Sequence, residues 1–135
     1  MVKITRYVTT TFEEEVPKTL ASFKNWEFSS GVYTGEDFKV FTRLFKNHIK
    51  KLMSNANLVN FSPNHYTFSG FFELNGKYVY FSISDVRFFK NQWYNHILIR
   101  TATSITDYTG GSNCYTSLED FAENINKLLK YPLPL

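Results

Sequence analysis

Cysteine is almost missing from this chain: Cys114 is the single one among 135 residues. An intramolecular disulfide and a cysteine-rich zinc site are therefore excluded. Long apolar runs are missing too. Nothing behind Met1-Val2-Lys3-Ile4-Thr5-Arg6 reads as a signal peptide, and no stretch has the ~20 apolar residues of a membrane-spanning helix. The expected compartment is the cytoplasm, with no membrane contact. An acidic excess is also lacking. Fifteen Lys and Arg against twelve Asp and Glu leave a net charge of +3. That balance argues against a DNA mimic and permits, without demanding, an anionic partner.

Recognisable catalytic and phosphate-binding patterns are absent as well. Cys114 with His65 or His96 and Asp85 or Asp107 has none of the local signatures of cysteine hydrolases. No pair among His48, His65, His96, Asp85 and Asp107 has the spacing of a known metal-ligand motif. Gly110-Gly111 lacks the Gly-Lys-Ser/Thr of a Walker loop and the third glycine of a Rossmann turn. It does precede a helix start, where backbone N–H groups from Gly110 to Asn113 could hold an anion. The competing reading is a loop ordered by its own Asp107, Ser112 and Asn113 side chains. The expectation is a non-enzymatic protein with no catalytic residues, metal or cofactor.

What the chain does have is rings, 19% of its residues. The core is expected to be aromatic, with several tyrosines at the surface or hydrogen-bonded. The length suits one domain over residues 1–135. Its clearest local signal is Asn75-Gly76, a dipeptide suited to the positive φ of a type I′ hairpin turn. Around it Phe72 should face Val79, Gly70 should face Phe81, and Phe68 should face Ile83. The other side of that hairpin carries Thr67, Ser69, Phe71 and Glu73 against Tyr78, Tyr80, Ser82 and Ser84.

Taken in order, Lys3 to Thr10 alternates like a short strand. Phe12, Val16, Leu20 and Phe23 recur at helical spacing, and Pro17 suits a first turn, so a helix is expected from about Pro17 to Asn25. A longer helix over Glu36 to Ser54, capped by Thr34, presents the stripe Phe38, Phe41, Phe45, Ile49 and Leu52. Lys39, Arg43, Lys46 and Lys50 form a basic stripe beside it, roughly 60° wide at about 100° per residue. Strands follow at Leu58 to Ser62, on both sides of Asn75-Gly76, and at Trp93 to Thr103. Thr106 to Thr116 has turn chemistry throughout. Ser117 and Asp120 have capping-box spacing and open a last helix, ended by Pro132. The expected fold is α+β in the order α-α-β-β-β-β-α. It is a four-stranded antiparallel meander with flanking amphipathic helices, a two-layer sandwich.

Two surfaces stand out. Phe71, Tyr78 and Tyr80 among serines could form an aromatic platform that stacks unpaired bases, with Arg100 beside it and the stripe Lys39, Arg43, Lys46 and Lys50 following a phosphate backbone. The same rings could instead be covered by Trp26 and Phe28. The second surface is the segment from Asp85 to Ala102, dense in the Trp, Tyr and Arg that anchor protein interfaces. Arg87, Phe89, Trp93, Tyr94 and Arg100, with Asp107 and Tyr108, are the candidate partner-binding residues.

The wealth of Asn, Lys, Phe, Tyr and Ile suggests an AT-rich coding sequence. Ser84-Asp85-Val86-Arg87-Phe88-Phe89, Leu98-Ile99-Arg100-Thr101-Ala102 and Asp107-Tyr108-Thr109-Gly110-Gly111-Ser112-Asn113 make the second half of the chain resemble small accessory proteins of Gram-positive plasmids, conjugative elements and phages. Such proteins include anti-defence factors such as anti-CRISPR proteins. The resemblance implies a binding protein that inhibits a bacterial defence nuclease, or its ribonucleoprotein complex, by occluding a nucleic-acid or partner site. The alternative is an accessory protein that binds single- or double-stranded nucleic acid directly. A free strand edge could also pair two copies into a homodimer.

Overall fold

The Asn75-Gly76 turn closes as its dipeptide dictates, with φ of 53° at Asn75 and 78° at Gly76. In the computed structural model it joins β4 (Thr67–Leu74) to β5 (Lys77–Ser84) in the expected register, Phe72 opposite Val79, Gly70 opposite Phe81 and Phe68 opposite Ile83. The structure describes residues 2–7, 11–24, 26, 36–63, 67–84, 97–108 and 111–130.

This hairpin is the centre of a five-stranded antiparallel sheet. Its order is the chain order: β3 (Asn57–Pro63), β4, β5, β6 (Ile97–Ala102) and β7 (Cys114–Thr116). The α+β class and the meander follow the sequence reading, but the sheet has one strand more than expected. β7 lies in the stretch expected to be a loop. Three residues carry too little alternation to announce a strand, and β7 is defined by its pairing with Ile97, Leu98 and Ile99.

Both long helices lie on one face of this sheet. α1 (Glu36–Leu52) lays Phe38, Phe41 and Phe45 against Phe68, with ring centroids 6.0, 5.9 and 5.0 Å apart. α2 (Phe121–Lys130) sets Phe121 against Phe45, Phe72 and Phe81. Burying one such side chain is worth about 1.5–3 kcal/mol, and edge-to-face pairs add to that. Met53 is buried in this core, whereas Leu52, expected in the stripe, is exposed. Ahead of α2, Ser117 Oγ accepts the Asp120 N–H at 3.0 Å, as the capping spacing implied.

The strand expected from Lys3 is present, but the helix expected after it needs correction. Instead of a helix over Pro17–Asn25 there is a separate two-stranded sheet of β1 (Lys3–Tyr7) and β2 (Thr11–Glu15), then one 3₁₀ turn at Ala21–Phe23. The pairing sets Lys3 opposite Glu15 and Thr5 opposite Glu13, so acids expected to lead into a helix become cross-strand partners. After Pro17 too few residues remain to repay helix nucleation. Val16 and Phe23 still reach the core, as their apolar character required. Among the described residues, no helix is long and apolar enough to cross a membrane.

Candidate binding face

The helices leave the other face of the sheet to be covered by something else. Pairing across four strands arranges that face in rows. One runs Val59, Phe71, Tyr80, Arg100; the next runs Ser62, Ser69, Ser82, Leu98 and, on β7, Tyr115. This face carries a small second core of Phe71 and Tyr80 from the first row with Ala102 beside them, and Val59, Tyr78 and Leu98 pack against it.

A strap made of residues 103–108 folds back over this row. Asp107 fixes its start: its Oδ2 accepts the Thr103 N–H at 2.9 Å and the Thr103 hydroxyl at 3.1 Å. The Tyr108 ring then stands edge-on to Phe71 and Tyr80, at 5.5 and 5.8 Å between centroids. Asn60 of β3 holds it from the far side, its Nδ2 donating to the Ile105 carbonyl and, at 2.9 Å, to Tyr108 Oη.

Asn60 can do this because β3 bulges there. Its φ is 49°, and the register slips by one residue between Val59 and Ser62. Asn is one of the few residue types that tolerates this left-handed backbone. The extra residue flips the alternation. Phe61 goes to the helix side, where it meets Phe68 and Phe81. The Asn60 amide reaches the strap.

Arg100 is the charged group of the site and is only 7% exposed. Its guanidinium lies 4.7 Å from the Tyr80 ring centroid. Nη1 donates to Asn113 Oδ1 at 3.2 Å, and Nη2 donates to the Tyr108 backbone carbonyl. Nε is buried with no hydrogen-bond partner. The ion pairs Lys18–Glu15, Lys39–Glu36 and Lys127–Glu123 do not involve it. Among the described residues the cation is thus held by neutral oxygens and a ring face. On the strap above, Ile105 and Tyr108 are each 43% exposed, and Tyr115 on β7 is 60% exposed.

Of the candidate partner-binding residues, the structure brings Arg100, Asp107 and Tyr108 together in and under the strap. Arg87, Phe89, Trp93 and Tyr94 lie outside the described residues. The aromatic platform is corrected. Phe71 is fully buried and Tyr80 nearly so, under Tyr108, while Tyr78 is half-buried. Trp26 does not cover these rings. It packs against the helix-side core and donates from Nε1 to Asp37 Oδ2 at 3.2 Å. Phe28 lies outside the described residues.

The basic stripe sits across the sheet from that platform, on the helix layer. Arg43 and Lys50 are exposed, Lys39 pairs with Glu36 at 3.2 Å, and Lys46 lies 5.0 Å over the Phe61 ring. The two halves of the nucleic-acid reading therefore do not share one surface. Asn60, Ile105 and Tyr115 were not singled out from sequence, and Asn113 was named only for its own loop. The sequence offered no periodic signal for a loop that folds back.

Among the described residues, no three His, Cys, Asp or Glu side chains gather as a metal site. The fold and the face together define an α+β protein with a strap-covered sheet. No family model matches the chain, and no curated protein or solved structure shows significant similarity to it.

Proposed function

We propose that this chain is a non-enzymatic binding protein of a mobile genetic element that inhibits a bacterial defence nuclease by occluding a nucleic-acid or partner site. It works in the cytoplasm of a bacterial host and docks through the strap side of the sheet. The observation that carries this reading is the set Ile105, Tyr108 and Tyr115, large side chains that face solvent on this side of the sheet, the first two on a strap anchored at Asp107, Asn60 and Arg100 and the third on β7. Exposed large side chains of this kind concentrate binding energy when a partner desolvates them. Direct nucleic-acid binding through Phe71 and Tyr80 is less favoured, because both rings are already covered.

The test is capture with a tagged chain from a low-GC bacterial lysate that expresses a Cas nuclease and its guide RNA, with and without nuclease treatment. Retention of the nuclease after treatment is expected, with at least about tenfold weaker capture by Ile105→Ala combined with Tyr115→Ala. Recovery of nucleic acid alone, lost on treatment, would overturn the reading.

A further inference from the structure

A guanidinium offers carboxylates a side-on fork, the parallel N–H groups of Nε and one terminal nitrogen. In Arg100 this fork is half used. Nη2 donates to the Tyr108 carbonyl, and Nε is buried without a partner. Burying a cation against neutral acceptors alone is costly, and an unfilled donor adds to the cost. Both defects would vanish if the single carbonyl oxygen were replaced by the two oxygens of a carboxylate.

The residue now supplying that oxygen also supplies the ring above Phe71 and Tyr80. One residue thus presents an aromatic side chain to the ring row and its own main-chain oxygen to Arg100. A C-terminal aromatic residue has the same skeleton, with the same number of bonds between ring and oxygen. It adds the second oxygen and the negative charge.

We propose that Tyr108 is an internal stand-in for the C-terminal aromatic residue of a partner polypeptide, and that Phe71, Tyr80 and Arg100 bind that residue when the strap lifts. The ring takes the place of the Tyr108 ring, and the terminal carboxylate bridges Nε and Nη2 of Arg100. The strap is then a competitive lid. It keeps the second core dry in the free protein and lowers apparent affinity by the fraction of molecules that remain closed. This rests on the second face being the docking face and adds the chemistry of what docks.

The probe is a short peptide ending in tyrosine, as the free acid and as the C-terminal amide, titrated calorimetrically into the full chain. Tyr108→Gly removes the ring of the stand-in, leaving only its main-chain oxygen to compete, and should bind the acid at least about tenfold more tightly than the unmodified chain does. It should also prefer acid to amide by a similar factor, and adding Arg100→Lys should erase that preference, because lysine has no fork. Should Tyr108→Gly fail to fold, Asn60→Gly keeps the left-handed backbone while untying the strap, and the same comparison applies.

Equal binding of acid and amide by a folded variant, or binding of neither, would overturn the proposal. So would tighter binding of an oligothymidylate than of the acid. Capture of the nuclease by the unmodified chain alongside such a failure would leave the docking reading standing and remove only the stand-in.

Discussion

His48 illustrates how a single residue reports its surroundings. It lies half-buried on α1, and its pKa is lowered from 6.5, first by burial and then by the nearby Lys51 charge. Between the folded and unfolded values the unfolded chain binds more protons, so stability rises with pH there. The contribution is complete above the ordinary histidine value and is lost as pH falls through the window below it. His48→Gln should flatten that part of the stability profile, measured by urea unfolding at pH 7.5 and 5. An unchanged slope would mean that His48 is not desolvated. Helical spacing fixes the face of every residue of α1 and sets His48 beside the apolar stripe. The sequence did not reveal Asn60, since a left-handed residue inside a strand leaves no trace in hydrophobic periodicity.

At the scale of elements, Gly70 shows why β4 and β5 pack so closely. A Cβ on Gly70 would meet the Phe81 ring at 3.0 Å and the Leu58 side chain at 3.3 Å. Gly70→Ala should therefore destabilise by about 1–3 kcal/mol, seen as a lower urea midpoint with an unchanged slope. No loss would mean that Phe81 can swing aside.

The same hairpin was the most legible part of the chain. Period-two alternation and Asn75-Gly76 agree locally, so pairing could be written to the residue. β2 was illegible for the converse reason. Phe12, Val16, Leu20 and Phe23 have spacings of four, four and three, which imitate a helix. What decides for a strand is β1, a partner that periodicity within the segment cannot represent. β7 likewise exists through its hydrogen bonds to β6 and not through its own composition.

For the molecule as a whole, two helices, the sheet and the β1–β2 unit share one aromatic core, in which Phe121 touches rings from α1, β4 and β5. Phe121→Ala should cost about 3–5 kcal/mol and lower the helical and aromatic circular-dichroism transitions together. Separated transitions would show that the helices and sheet melt independently. The alternation that made this core foreseeable also marked the opposite face as polar with a few rings. Closure of that face was not foreseeable, because it depends on a strap turning back over strands that precede it in the chain.

The bulge at Asn60 binds the two halves of this architecture to one position. The backbone turn that sends Phe61 into the helix side also aims the amide that ties down Tyr108 on the other. Straightening the strand at its present length would turn Phe61 out of the core and cut the strap loose in the same event, whereas deleting Asn60 would leave Phe61 on the helix side and lose only the tie to the strap. The bulge is therefore constrained from both sides. A sequence drifting under selection can exchange strap residues or core residues separately, but it cannot straighten this edge at its present length without rebuilding both.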